Sequence, residues 1–364
     1  KFRDRQLSSR LLQEVKSRGQ ELKEQLGRRP VFMEVCGTHT VNFSQTGLRR
    51  ALEETVDLRS GPGCPVCVTD QGDIDRIIEL STKENVVLGT FGDMLRVPGS
   101  RSSLEQEKAR GAQVKMFYSP SDAVRWAWRN PIKQMVFLGI GFETTAPVVA
   151  LSIQEAEDQG IKNYSVYSVH KQVIPALKAL LKDSDLGVDG FILPGHVSAV
   201  IGRKAFDFLA LDYEIAGVIA GFEPMDLLGA VENLTQQLLQ KNCRVDNNYT
   251  RVVREEGNST AQRVIQEYFD PVEVSWRGLG KIPGSGLALK KELQVYDAIK
   301  RFPVEISRPF NQEGCRCGEV LTGKIVPTQC GMFGRDCKPS RPVGPCMVSS
   351  EGACAAYYQY DFQE

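Results

Sequence analysis

Eight short apolar runs, each ending in a glycine or polar turn and followed by a helical pattern, repeat through the first two thirds of the chain. They are VFMEV (31–35), VDLRS (56–60), VVLGT (86–90), VKMFY (114–118), QMVFLGI (134–140), YSVYSV (164–169), DGFILP (189–194) and AGVIAG (216–221). Strands alternating with helices build βαβ units and parallel sheet, so the expected fold class is α/β. A closed eight-stranded barrel fits the count. Two open lobes of about four strands each fit better, because WAWRNP at 126–131 interrupts the rhythm near its middle. The expected division is an N-terminal helix within 1–30, one lobe over 31–130, a second over 131–254, and a last domain over 255–364. Leu11, Leu12, Val15, Leu22 and Leu26 recur at helical spacing in the first segment, which is expected to pack with the C-terminal domain. After about residue 245 the rhythm stops. RVVREEGNSTAQRVIQEYF reads as a strand or loop and then a helix, and WRGLGKIPGSGLAL as turn-rich chain. From Glu313 onward glycine, proline and cysteine dominate with little periodicity. A stretch so poor in regular structure calls for something besides packing to hold it, and a metal centre is the usual staple.

In open α/β sheets ligands bind beyond the carboxyl ends of the strands. That rule gathers Cys36, Thr38 and His39 after the first run, Cys64 and Cys67 after the second, and Asp93 after the third. Glu143 and Thr144 follow the fifth, His170 the sixth and His196 the seventh, so all three histidines of the chain lie at strand ends. Lysine plus arginine and aspartate plus glutamate both number 45, which leaves no basic excess for nucleic acid or an anionic membrane. No run approaches the ~20 apolar residues of a membrane span. KFRDRQLSSR has no apolar core of a secretory signal. Ten cysteines on such a chain are expected in a reducing cytosol, where clustered thiols serve metal or redox chemistry.

Three cysteine arrangements carry the chemistry. In 60-SGPGCPVCVTDQGDIDRII-78, Cys64 and Cys67 have no second C-x-x-C to complete a zinc knuckle. They lie just ahead of a helix that Thr69 or Asp70 can cap, where a helix dipole favours thiolate. This reads as a redox dithiol. A disulfide across it requires Cα atoms within about 4.4–6.8 Å, which the turn at Pro65 should permit. In 34-EVCGTHT-40, Cys36 with His39 is a nucleophilic pair, a thiolate ligand for iron, or a buried structural thiol. The six tail cysteines, 315, 317, 330, 337, 346 and 354, are separated by one, twelve, six, eight and seven residues. Paired zinc spacing is missing, and an iron–sulfur cluster, whose ligands can be spread along the chain, fits better than zinc or free thiols. GIGFETTAP lacks the third glycine of a dinucleotide loop, and no P-loop and no C-x-x-x-C-x-x-C occur.

Taken together, EVCGTHT, SGPGCPVCV, TFGDMLRVPGS, GFETTAP, LPGHVS, AGFEP, WRGLG, CGEVLTGK and MVSSEGACAA resemble, in order from about 31 to 358, the hydrogenase maturation protein HypD family. The resemblance implies two α/β lobes and a domain with a [4Fe–4S] cluster. It implies assembly of the nickel–iron hydrogenase iron centre, an iron with two cyanides and one carbon monoxide. It further implies work with the small chaperone HypC and with HypE, which delivers cyanide as a thiocyanate. By position, Cys36 would bind the iron with His39 nearby, Cys64 and Cys67 would be the redox pair, and Cys317, Cys330, Cys337 and Cys354 would hold the cluster. Cys315 and Cys346 are left over. Asp93, Glu143 and His196, from neighbouring strand ends, are expected to supply protons or hydrogen bonds to cyanide. A cluster-dependent protein disulfide reductase and a zinc-stabilised scaffold are the competing functions.

Overall fold

The computed structural model describes residues 5–306 and 313–362; residues 1–4, 307–312 and 363–364 of the expected first and last domains lie outside these. All eight apolar runs form strands. They are β1 Val31–Glu34, β2 Asp57–Ser60, β3 Val86–Thr90, β4 Gln113–Met116, β5 Gln134–Gly139, β6 Tyr164–Ser168, β7 Gly190–Pro194 and β8 Ala216–Ala220, with a short β9 at Val245–Asn247. Every position of β1, β3, β7 and β8 is buried, as expected where helices cover both faces of a parallel sheet. The nine strands form two open parallel sheets, ordered β2-β1-β7-β8-β9 and β4-β3-β5-β6. The chain is therefore α/β with two lobes, and the barrel is excluded. Among the described residues no helix is long and apolar enough to cross a membrane.

The lobes are not consecutive in sequence. Strands β3 and β4, expected beside β1 and β2, pair with β5 and β6. Strands β7 and β8, expected with β5 and β6, complete the sheet of β1 through the register Phe32↔Gly190 to Glu34↔Ile192. The four-stranded lobe is thus inserted into the five-stranded one. The stretch at 126–131 is no boundary either: helix Pro120–Arg129 buries Ala123, Val124 and Ala127, which join the core beside Phe137 and Val149 of the four-stranded lobe.

The terminal regions also differ from expectation. Helix Arg5–Leu26 packs on helix Pro224–Leu239 rather than on the cysteine-rich tail. Its Val15 joins Leu227, Val231 and Leu234 in one apolar cluster, with Leu11 and Leu12 at the edge, and Arg18 pairs with Glu232. The turn-rich stretch is an antiparallel hairpin, β10 Phe269–Trp276 and β11 Gly280–Leu289. Gly278 and Gly280 take φ of 83° and 72° in its turn, a region glycine enters without penalty. Phe269, Leu287 and Tyr296 pack with Phe137 and Tyr164, so residues 259–296 cover the four-stranded lobe. The tail from 313 belongs to a core that draws on both lobes, where Cys317, Cys346, Met347 and Cys354 join Met33, Val35, Cys64 and Cys67 as well as Leu88 and Val136.

One buried ion pair fastens the first strand, its following helices and the tail. Glu34 is fully buried at the end of β1. Its two carboxylate oxygens accept from Arg49 Nη2 at 2.7 and 2.8 Å, and Oε2 also accepts from Thr40 Oγ1 at 2.6 Å. Arg49 donates further to the Leu58 carbonyl on β2 and to Ser44 Oγ. Its guanidinium stands 4.7 Å from the centre of the Tyr357 ring, with Asp361 Oδ2 at 3.7 Å. Burial pushes the Glu34 carboxyl up, and Arg49 and the Thr40 hydroxyl oppose that shift. Removing one member of such a pair leaves the other charge buried alone. Arg49→Met should therefore cost about 3–5 kcal/mol of unfolding free energy, measured by denaturant titration, and a wild-type midpoint would show that the network contributes nothing.

Candidate functional site

The strand order of an open sheet reverses where ligands bind. In the five-stranded sheet the reversal falls between β1 and β7, and in the four-stranded sheet between β3 and β5. Both reversals open onto one cleft of about 260 Å³. Cys36 after β1, His196 after β7, Asp93 after β3, and Gly141, Phe142 and Thr144 after β5 line it, together with Glu351 from the tail. Of the residues named from sequence, this brings together Cys36, Asp93, Thr144 and His196.

Cys36 occupies the N-cap position of helix Gly37–Gln45 without a side-chain capping bond and is 7% exposed. Burial first, and then the nearby Glu351 carboxylate, push its thiol up to about 11, against hydrogen bonds from the His39 and Thr38 backbone. Alone it keeps its proton at neutral pH; a bound cation would take the thiolate. The turn is tightly enclosed. A Cβ on Gly37 would stand 2.4 Å from the Glu351 carbonyl oxygen, and one on Gly63 only 2.2 Å from that of Val35. Thr38 Oγ1 donates to Glu351 Oε1 at 2.7 Å.

Behind the cleft wall of Gly63, Pro65 and Val66, Cys64 and Cys67 are joined in a disulfide, with Cα atoms 5.2 Å apart. The loop leaves the five-stranded sheet after β2 and enters helix Gln71–Ser81, which packs on β3, so the disulfide sits where the chain crosses between lobes. Cys64 caps the short helix Pro65–Val68, its Sγ accepting from the Cys67 N–H at 3.1 Å. Asp70, not Thr69, caps the next helix through Gly72 N–H. The Pro65–Val68 turn also packs on Cys317–Leu321 and Pro345–Met347 of the tail.

Two expected site residues lie elsewhere. His39 is fully buried and its Nε2 lies 3.1 Å from the Gly221 carbonyl oxygen and 3.3 Å from that of Ala220. Burial lowers its pKa to about 4, so it is neutral at pH 7. Its ring stacks on Phe222, which stacks in turn on His196, and it reaches the cleft only through that stack. Glu143 is buried beneath the wall, where desolvation raises it to about 7. Its Oε1 accepts from Val173 N–H at 2.9 Å and its Oε2 has no partner. His196 stays at the cleft wall with its pKa lowered by partial burial. His170, buried against Ser168, lies outside the cleft.

The tail cysteines converge. Cys315, Cys317, Cys330, Cys337 and Cys354 surround a small cavity with Val320, Met332, Phe333 and Met347, and Cys346 touches Cys317 and Cys354. The sulfurs of Cys315 and Cys317 are 3.3 Å apart; their contact holds the Cys315 thiol down and the Cys317 thiol up. Val343 N–H points to Cys337 Sγ at 3.4 Å. At Gly344 a Cβ would stand 2.5 and 2.6 Å from the sulfurs of Cys317 and Cys315, so bare backbone closes over the thiols. Among the described residues no group of three or more histidine, cysteine, aspartate and glutamate side chains forms a ready single-ion site. Sulfurs spread around an apolar cavity, with backbone N–H groups beside them, suit a polynuclear cluster.

Sequence reasoning missed the segment between the last two cysteines. Ser350 donates to Asp93 Oδ2 through its N–H at 3.1 Å and its Oγ at 2.7 Å. Ser349 Oγ lies 3.4 Å from both Asp93 Oδ2 and Cys64 Sγ. With Glu351 on Thr38, three consecutive residues join the tail to the disulfide, to the Cys36 turn and to the inserted lobe. The only signal for them was their place inside MVSSEGACAA.

Comparison with known proteins covers nearly the whole chain. The HypD family model, described as the hydrogenase formation hypA family, matches residues 7–361. The chain is 45% identical over 360 residues to hydrogenase maturation factor HypD of Escherichia coli K12, covering 97% of this chain and 95% of that one. It is 44% identical over 368 residues to hydrogenase maturation factor HypD of Rhodobacter capsulatus, covering 99% and 97%. The namesake of Cupriavidus necator is 39% identical over 367 residues, covering 99% and 96%. The chain belongs to the HypD family of hydrogenase maturation factors.

Proposed function

We propose that this chain is the cytosolic scaffold on which the iron of a nickel–iron hydrogenase acquires two cyanides and one carbon monoxide. The observation that carries the reading is one of succession. Cys36 lies in the cleft at both switch points, the Cys64–Cys67 disulfide is directly behind it, and the cysteine cavity packs against that disulfide. The iron is cargo. A low-spin iron with cyanide and carbon monoxide takes soft anionic donors, and Cys36 gives one thiolate while the small chaperone HypC gives another. His196 and Asp93 stand on the cleft wall, within reach of cyanide nitrogens.

The Cys64/Cys67 dithiol releases cyanide from the thiocyanate carried by HypE. The carbon–sulfur bond of the thiocyanate breaks and the Cys64–Cys67 bond forms. The products are hydrogen cyanide, the carrier thiol and the disulfide, so two electrons and two protons leave the dithiol. Cys330, Cys337, Cys354 and one member of the Cys315/Cys317 pair would hold a [4Fe–4S] cluster, which supplies electrons one at a time. The convergence of Cys315 on the same cavity as Cys317 supports treating the fourth ligand as a choice between these two. A cluster-dependent disulfide reductase remains a second reading, favoured by the same disulfide beside the same cavity.

Cys36→Ala should leave the visible absorption of the cluster intact and abolish the infrared bands of iron-bound cyanide and carbon monoxide in protein purified with its small chaperone. Bands that persist in this variant exclude Cys36 as an essential ligand, and a wild type with cluster but no bands favours the reductase. Alanine at Cys330, Cys337 or Cys354, or at one of Cys315 and Cys317, should remove the cluster and expose residues 313–362 to protease, because binding there is part of folding. Alanine at Cys346 should not. Stoichiometric zinc without sulfide after anaerobic purification would reject the cluster.

A further inference from the structure

The Cys64–Cys67 pair is sealed from water: Cys64 is 2% and Cys67 0% exposed. Interconverting disulfide and dithiol moves two protons with two electrons, and a buried sulfur left as an unpartnered thiolate carries a heavy desolvation penalty. Protons therefore need a path. The Ser349 hydroxyl, 2% exposed, lies 3.4 Å from Cys64 Sγ and 3.4 Å from Asp93 Oδ2. Asp93 in turn lines the cleft and is held in place by two hydrogen bonds from Ser350. A serine hydroxyl both accepts and donates, so this chain of groups can pass a proton between sulfur and cleft.

We propose that Ser349, backed by Asp93, is the proton path of the Cys64 sulfur. The inference rests on the redox reading of this pair. In the cyanide-releasing direction the Cys64 proton passes through Ser349 to the Asp93 carboxylate, at the cleft where the carrier thiolate and cyanide take up protons. In the reducing direction the S–S bond breaks, each sulfur gains one electron and one proton, and Asp93 returns the proton to Cys64. The electrons come from a one-electron carrier in two steps, or from an added dithiol. The other titratable groups around the path are Glu351, Cys36 and His196 in the cleft, and Cys317 and Cys346 on the tail segments packed against the Pro65–Val68 turn.

The test follows reduction of the disulfide in the intact protein by dithiothreitol over a range of pH. Acid quenching, denaturation and alkylation are then counted at Cys64 and Cys67 by mass spectrometry. Ser349→Ala should slow reduction by about 10²-fold, the low end of what a positioned acid–base group supplies. Asp93→Asn, which keeps an oxygen acceptor for Ser350, should slow it similarly and change the shape of the pH–rate profile. A contact with only a structural role would lower the profile without reshaping it. Ser349→Thr, which keeps the hydroxyl, should restore the rate. A wild type that cycles beside a Ser349→Ala variant with the same rate and profile overturns the inference alone. A wild-type pair locked in one state overturns the redox reading, and the inference with it.

Discussion

A carboxylate with no access to water anchors this molecule. Glu34 ends β1, an inner strand of the five-stranded sheet, two residues before Cys36, and Arg49 holds both its oxygens. An arginine serves here because one nitrogen of its rigid guanidinium, Nη2, meets both carboxylate oxygens while Nε and Nη1 reach Ser44 and Leu58. The same guanidinium faces Tyr357 and Asp361, just beyond the last tail cysteine. The turn that presents Cys36 and the segment that gathers the thiols are therefore fixed to one charge pair. A shift of either would leave an ion uncompensated in the core, which is costly.

From that anchor the chemistry is layered. The outermost layer is the cleft, where both sheets expose their switch points. The next is the disulfide, on a loop that belongs to neither sheet. Beyond it from the cleft is the thiol cavity, packed against that loop, with Cys315 and Cys330 half-buried. Steric closeness enforces the layering: glycine at 37 and 63 lets backbone pass where a methyl group would collide. The segment Ser349–Glu351 touches the cleft and the disulfide while lying between two of the thiols, so the inner layer is mechanically joined to the outer.

What the sequence disclosed follows from the range of the forces involved. Strands such as VVLGT and DGFILP were legible because burial on both faces writes itself as continuous apolar residues. Their pairing was not, because β1 meets β7 across the whole inserted lobe and nothing local marks that partner. FDPVEVSW and GKIPGSGLAL hid a hairpin, since proline and glycine mask the alternation of its strands. Cys36, Asp93 and His196 were found by the strand-end rule alone. The rule failed for His39, whose ring turns to the carbonyls of Ala220 and Gly221, because it locates a residue and not the direction of its side chain. Ser349, Ser350 and Glu351 carry ordinary surface residue types, and only folding makes them neighbours of Cys64 and Asp93.

The insertion of one lobe within the other has a consequence for synthesis. A chain emerging from the ribosome presents β1 and β2 long before β7, so the central pairing of the five-stranded sheet waits while residues 86–168 can already close their own consecutive sheet. Domains tend to fold as units during synthesis, and here the inner one can finish while the outer has only β1 and β2 to pair with each other. Cys36, Cys64 and Cys67 then lie on an incomplete sheet in a half-made protein, and Ser349, which will cover Cys64, follows it by 285 residues. The order of translation thus leaves the reactive sulfurs to the care of the cell's reductants and chaperones until the tail arrives.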